Sequence, residues 1–220
     1  MIIAIDGAAG SGKSSTAVRI SKEIKFIYLD TGAMYRAITL KCVRLGLDLN
    51  NKSKLKKLLN STKLKFQSDS IILLDGEDVT VAIRNELISK NVSYVSSLYE
   101  VRKMLVYWQR EIARDKNVVI EGRDIGTVVF PDADIKIFLS ADIKIRARRR
   151  YEELRKNDYN VSEAEIKKSM INRDNIDTNR VNSPLIKHKD AIEIDTTNLS
   201  LDDQVEKILK IINLKGVGLK

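Results

Sequence analysis

Short apolar runs alternate along the chain with longer stretches in which apolar residues recur every three or four positions. Ile2 to Ile5 is a continuous apolar run, the pattern of a strand buried on both faces. A glycine-rich turn from Gly7 to Gly12 follows, and then a helical pattern from Lys13 to about Ile24. Phe26 to Leu29 reads as a second strand, and Thr31 to Leu45 as a helix that Gly46 stops. Strand, turn, helix, strand, helix is the order of a parallel α/β sheet.

The middle of the chain breaks this rhythm. Ser53 is placed to cap a short basic helix reaching about Leu59. Lys63 to Gln67 and Ile71 to Leu74 read as strands joined by the polar turn Ser68-Asp69-Ser70; Asp75-Gly76 is a second turn, before a short strand near Val79. Ile83 to Val95 returns to helix. Two hairpin turns so close together predict a small α+β insert at residues 60–98, within a core made of residues 1–59 and 99–220. Beyond the insert, a helix from Val101 to Arg114 precedes the strand Val118 to Ile120, and Ile135 to Leu139 is the next strand. Asp142 caps a basic helix to about Lys156, and Ser162 caps another from Glu163 to Asp174 or beyond. Ala191 to Ile194 is the last of five core strands, and Leu201 to Leu214 is an amphipathic helix with Val205, Ile208, Leu209 and Ile212 on one face.

With 220 residues, 43% of them hydrophobic, the chain can bury a real core. Lys and Arg total 39 against 30 Asp and Glu, a net charge of +9, which points to an anionic partner without choosing among nucleic acid, membrane and phosphorylated small molecules. One cysteine, Cys42, excludes an internal disulfide framework, and one histidine, His188, excludes a His-cluster metal site. Cys42 lies in a helical pattern as a core residue, Trp108 at packing distance from Met104 and Leu105, and His188 in a polar loop as a surface residue with no partner. No apolar run is long enough for a signal peptide or a membrane helix, so a soluble, reducing, cytoplasmic setting is expected.

Gly7-Ala8-Ala9-Gly10-Ser11-Gly12-Lys13-Ser14 fits G-x-x-x-x-G-K-[ST], between a strand and a helix as that motif requires. Its glycines let backbone N–H groups curl around phosphate oxygens, Lys13 reaches the β- and γ-phosphates, and the Ser14 hydroxyl ligates Mg²⁺. The loop does not name the acceptor. A GTPase should carry D-x-x-G and N-K-x-D; no D-x-x-G occurs, and Asn51-Lys52-Ser53-Lys54 fails at its fourth position. Two further segments end strands at the carboxyl edge where open α/β sheets bind ligands: Asp30-Thr31-Gly32-Ala33-Met34-Tyr35-Arg36 and Glu121-Gly122-Arg123-Asp124-Ile125-Gly126-Thr127. Arg36 there is suited to clamp a phosphate, and Asp124 to accept from an exocyclic amine or to help place Mg²⁺ through water. Arg146, Arg148, Arg149 and Arg150 crowd one helix, readable as a solvated face, a nucleic-acid patch or a lid that reaches the transferring phosphate. Arg173, Asp177 and Arg180 share a face if the following helix continues. A nucleic-acid-binding ATPase would use the charge equally well, but aromatics are only 5%, too few for base-stacking platforms.

Together these segments resemble the bacterial cytidylate kinases, within the nucleoside monophosphate kinases. The resemblance runs from Met1 past Ser200, carried by the glycine loop, Asp30–Arg36, Gly76–Val79, Val101-Arg102, Gln109-Arg110, the stretch Gly122–Ala133, Lys136–Leu139 and Arg173–Arg180. It implies a P-loop kinase with a five-stranded parallel core, a lid at about 143–180 and the 60–98 segment as a nucleotide-binding insert. It implies transfer of phosphate from ATP, with Mg²⁺, to CMP or dCMP in pyrimidine nucleotide metabolism. The expected partners are these nucleotides alone, with no nucleic acid and no membrane, and the expected state is a monomer. Gly7 to Ser15 would hold ATP, with Ala8, Ala9, Gly10, Ser11 and Gly12 forming the cradle. Lys13, Arg123, Arg146 and Arg150 would stabilise the transferring group. Ser93, Arg102 and Asp124 would read cytosine, Thr31, Tyr35, Arg36, Arg123 and Arg180 would frame the acceptor, and Arg173 and Asp177 would touch the ribose. The sequence departs from the family where Ile176 and Thr178 replace an arginine often found there, and where Thr31 stands for the serine of a D-S-G triplet.

Overall fold

A computed structural model describes residues 1–67, 71–156 and 161–215. Its elements are β1 (Ile2–Gly7), α1 (Lys13–Glu23), β2 (Ile27–Asp30), α2 (Thr31–Arg44), α3 (Lys52–Asn60), β3 (Leu64–Phe66), β4 (Ile72–Leu74), β5 (Glu77–Asp78), α4 (Glu86–Ser97), α5 (Tyr99–Ala113), β6 (Val118–Gly122), β7 (Ile135–Ser140), α6 (Ile143–Arg155), α7 (Glu163–Asn179), β8 (Ile192–Asp195) and α8 (Leu201–Leu214).

The main sheet has five strands in the order β2-β6-β1-β7-β8, and all its pairings are parallel. Strand alternation divides its side chains between two cores. Ile3, Ile5, Val119, Ile137 and Leu139 meet α1 and α8 through Ala17, Ile20, Val205, Ile208 and Ile212. Ala4, Val118 and Ile120 face the other way, onto Met34 and Ile38 of α2 and Leu105 of α5. Burial on both faces accounts for the continuous apolar reading of these strands. It also leaves only their carboxyl ends free to carry polar side chains.

β3, β4 and β5 form a separate antiparallel sheet. Asp75 (φ 52) and Gly76 (φ 93) are the two left-handed residues of its hairpin, the geometry that twists with its strands. This sheet is packed onto the body of the chain, because Leu55, Ile72, Leu74, Val79 and Ile88 join the same core cluster as Ile38. A third cluster, Ala9, Ala147, Ile166 and Met170, sits where α6 and α7 meet the loop after β1.

Three local expectations change. Asn51, not Ser53, caps α3, its Oδ1 accepting from Lys54 N at 3.0 Å. The expected helix from Ile83 to Val95 is divided: Ala82–Arg84 form a 3-10 turn, and Asn85 then starts α4 by accepting from Ile88 N at 2.8 Å. An asparagine side chain competes for backbone amides, so it caps more readily than it continues a helix. Residues Ile125–Val129, to which the sequence pattern assigns no element, form a π-helical turn. The expected turn at 68–70 lies outside the described residues. His188 is only 20% exposed, and its Nδ1 accepts from Asp190 N at 3.2 Å, so it does have a partner. Cys42 is buried, and Trp108 packs against the core.

Candidate active site

The carboxyl ends of β1, β2 and β6 open into one cleft of about 1440 Å³, bounded by α4, α6, α7 and the start of α8. The loop after β1 forms its floor. Gly7 (φ 147) passes so close to β7 that a Cβ would lie 2.1 Å from Leu139 O, so only glycine fits. Gly12 (φ 94) precedes the first residue of α1, where a Cβ would meet Gln204 Oε1 at 2.7 Å. The loop therefore turns tightly against β7 and α8 before aiming the amino end of α1 into the cleft, where its orphan N–H groups favour an anion.

Lys13, the first residue of α1, is only 5% exposed. Its Nζ donates to Ala8 O at 2.7 Å and to Ser11 Oγ at 3.5 Å. Burial, with Arg123 next in importance, pushes this ammonium down to about 7. Ala9, Gly10, Gly12, Lys13, Ser14 and Ser15 line the cleft. Gly7, Ala8 and Ser11 lie behind it and hold the loop together: Ser11 is fully buried, and its carbonyl accepts from Thr196 Oγ1.

Asp30 caps α2 by accepting from Ala33 N at 2.9 Å. Thr31 Oγ1 donates to Glu121 O at 2.7 Å and so ties the ends of β2 and β6 together. Arg36 donates to Ser89 Oγ at 3.0 Å, and burial lowers its guanidinium to about 10. Tyr28 OH donates to Glu121 Oε1 at 2.5 Å. Burial and then Asp30 raise the Glu121 carboxyl, which also accepts a hydrogen bond from Ser14. Sequence reasoning noted Glu121 only as an acid at a strand end. The apolar run before it was the available sign of its burial.

Across the cleft, α7 reaches Asn179, so Arg173, Asp177 and Arg180 do share a face. Arg123 Nε donates to Asp177 Oδ2 at 3.0 Å. Arg173 Nε is buried without a hydrogen-bond partner among the described residues, and burial, then Arg123 and Arg36, lower this group to about 9. Burial alone would raise the Asp177 carboxyl, but Arg123, Arg173 and Arg180 pull it below the usual carboxylate range. At the inner end Asp124 is 4% exposed, salt-bridged to Arg102 and 3.4 Å from Arg180 Nη2. Arg102 also lies 5.4 Å from the Tyr35 ring centroid, within cation–π range. Ser93 Oγ is buried there with no hydrogen-bond partner among the described residues. Depressed arginine and lysine pKa values beside unpartnered donors describe a site organised for an anion with a polar head group.

Of the basic helix, Arg149 and Arg150 line the cleft, while Arg148 pairs with Glu152 at the surface. Arg146, expected to reach the transferring phosphate, is engaged elsewhere: it donates to Ala9 O (3.0 Å), Ala141 O (2.9 Å) and Asp174 Oδ2 (2.5 Å). It thereby clamps the loop after β1 to α7. Arg84 and Ser89 also line the cleft, and neither was singled out from sequence.

Ser14, Asp30 and Glu121 suit Mg²⁺ by chemistry, since all three offer hard oxygen donors. Among the described residues no group of three or more His, Cys, Asp or Glu is placed to hold a metal.

Comparisons with known proteins bear on fold and family. Among solved structures, a protein of Eubacterium ventriosum superposes with a TM-score of 0.53 at 16% identity, covering 97% of this chain and 98% of that one. A Thermus thermophilus protein gives 0.50 at 18%, covering 99% and 98%. At such identities they speak for the fold alone. The cytidylate kinase of Carboxydothermus hydrogenoformans is 48% identical over 219 residues, covering 98% of this chain and 99% of its own. That of Clostridioides difficile is 44% identical over 214 residues, covering 97% and 99%. The cytidylate kinase family profile matches residues 3–214, a span that takes in the glycine loop, the arginine-lined wall and the Arg102–Asp124–Arg180 cluster alike, and the chain belongs to that family.

Proposed function

We propose that the protein transfers the γ-phosphoryl group of ATP to CMP or dCMP, giving ADP and CDP or dCDP. The observation that carries the reading is a single cleft joining a phosphate-binding loop to Arg36, Arg123 and Arg173, and ending in the buried set Ser93, Arg102, Asp124 and Arg180. The loop amides, Lys13, Arg149 and Arg150 hold the ATP phosphates. Arg36, Arg123 and Arg180 hold the acceptor phosphate, Thr31 and Tyr35 frame it, and Arg173 and Asp177 touch the ribose, with Asp177 also orienting Arg123. An acceptor oxygen attacks the γ-phosphorus in line; the new P–O bond forms as the bond to the β-phosphate bridging oxygen breaks, and ADP leaves. The acceptor is already anionic, so no general base is needed. Ser14, with Asp30 and Glu121 beside it, would hold Mg²⁺, which when bound neutralises charge on the β- and γ-phosphate oxygens. Lys13 and the arginines do the same from fixed positions in a partly dried site.

For the base, Asp124 accepts from the cytosine amine, while Ser93 and Arg102 donate to N3 and O2. Uracil would set a carbonyl oxygen against the Asp124 carboxylate with no proton between them. We further propose that residues 60–98 and the lid at 143–180 close over the two nucleotides, and that the protein acts as a monomer. A panel of nucleoside monophosphates with ATP tests the reading: CMP and dCMP should exceed UMP by at least about tenfold in kcat/KM, with AMP and GMP poor. Equal turnover of UMP and CMP would overturn it.

A further inference from the structure

Asp6 is the penultimate residue of β1, next to the first glycine of the loop, and the mechanism above gives it no task. It is only 5% exposed, an expensive place for a carboxylate unless its oxygens are used. Both are used at one joint: Oδ1 accepts from Ile125 N at 2.8 Å and Oδ2 from Gly126 N at 2.7 Å. These amides open the π-helical turn Ile125–Val129. Residues Arg123 and Asp124 immediately precede them, in a segment that leaves the sheet. Asp124 has φ −144 and ψ 27, outside helix and strand geometry, and its carbonyl accepts from Val128 N at 2.9 Å and Val129 N at 3.1 Å, so the turn that Asp6 anchors is bonded to it directly. Gly126 completes the joint, because a Cβ there would lie 3.2 Å from Lys136 Cδ and 3.4 Å from Asp6 Oδ2.

We infer that Asp6 is a positioning residue for acceptor recognition: its carboxylate pins the amides of Ile125 and Gly126 and so fixes the direction in which Asp124 and Arg123 meet the acceptor nucleotide. Burial raises the Asp6 carboxyl to about 6, and the two amide hydrogen bonds are the largest effects that oppose this; of the charges facing it, Asp124 resists its ionisation and Lys13 favours it. Ionised, the carboxylate accepts from both amides; an amide side chain in its place accepts from only one and turns an N–H₂ toward the other. Small misplacements at a recognition site cost rate out of proportion to their size.

The inference rests on the proposed CMP kinase reading and is tested by Asp6→Asn, with kcat and KM measured for CMP, UMP and ATP. The expected result is a fall of about tenfold or more in kcat/KM for CMP, a narrowed CMP:UMP ratio and an ATP KM within about twofold of wild type. A merely structural role lowers the amount of folded enzyme, which cancels in the CMP:UMP ratio. An unchanged ratio in folded Asp6→Asn therefore overturns the proposal, as does an ATP KM that rises while the ratio holds. Should Asp6→Asn not fold, Gly126→Val crowds the same joint from the other side: its Cβ alone would lie 3.4 Å from Asp6 Oδ2 and 3.2 Å from Lys136 Cδ, and its two methyl groups would have to push against them. A narrowed ratio there supports the inference, and an unchanged one overturns it. Failure of the functional reading shows separately, as wild-type enzyme that does not prefer CMP.

Discussion

Replacing Lys13 with methionine should remove activity and, without nucleotide, make the protein more stable. Methionine keeps the length of the side chain and discards the ammonium. The folded protein holds this ammonium buried, near Arg123 and Arg173, with a pKa pushed from 10.5 to about 7. In the unfolded chain it titrates normally, so between pH 7 and 10.5 the unfolded state binds more protons and stability rises with pH. At pH 7 the displaced titration corresponds to a charging cost of about 4 kcal/mol, and at pH 10 to about 1 kcal/mol. Methionine escapes that cost but leaves Ala8 O without its Lys13 donor, a loss of about 1 kcal/mol. The net gain at pH 7 is on the order of 2–3 kcal/mol, or roughly 5–10 °C in Tm for a domain of this size. It should close nearly to zero by pH 10.

The assay is thermal melting of wild type and Lys13→Met at pH 7, 8.5 and 10, with turnover of CMP measured alongside. Activity should fall by about 10³ or more, since the cation acts on charge that develops in the transition state. A variant that melts at or below wild type at pH 7, or whose advantage does not shrink as pH rises, would refute the claim that Lys13 is held at an electrostatic cost. Retention of more than about a tenth of the turnover would refute its role in transfer, a tenth being 1.4 kcal/mol.

Three further outcomes follow from the same contacts. Asp124→Asn leaves Arg102 and Arg180 buried without their shared carboxylate, which should lower stability by about 3 kcal/mol and narrow the CMP:UMP ratio; melting and paired kinetics check both. Arg146→Ala frees the loop after β1 from α7, so KM for ATP should rise about tenfold while KM for CMP stays within about twofold, whereas a fall in kcat alone would return Arg146 to the transferring phosphate. Burial raises the Cys42 thiol to about 11, so native protein at pH 8 should react with iodoacetamide at least ~100-fold more slowly than urea-unfolded protein; labelling at the unfolded rate would contradict its burial.

Much of the fold was legible because the signals were local. Ile2–Ile5 is apolar since both faces of its strand are covered, and Ser162 caps α7 through a capping box with Glu165 visible in the spacing alone. The failures were also local, where two cap residues lay close together. Asn51 and Ser53 both suit a helix start, and only the packing of Leu55, Leu58 and Leu59 inward decides which one caps. The division at Asn85 is similar, because the apolar period runs on through a residue whose side chain stops the helix. The π-helical turn had no such signal, as its geometry depends on a carboxylate 119 residues away.

The site was legible in its parts and not in its pairings. The glycine loop could be read because its phosphate chemistry is written in consecutive residues. Which cations are neutralised could not, because Arg123 finds Asp177 and Arg102 finds Asp124 across gaps of 54 and 22 residues. The net charge of +9 hinted at an anion but could not locate it. In the folded protein part of that excess is concentrated where water is scarce, and Lys13, Arg36 and Arg173 respond with lowered pKa values. Surface lysines and arginines in bulk water would show no such response. The cleft thus holds like charges together against their repulsion. On the proposed reading, nucleotide phosphates would relieve that repulsion, and part of the substrates' binding energy would come from doing so. For the same reason, removing one of those cations should stabilise the empty protein while disabling the loaded one.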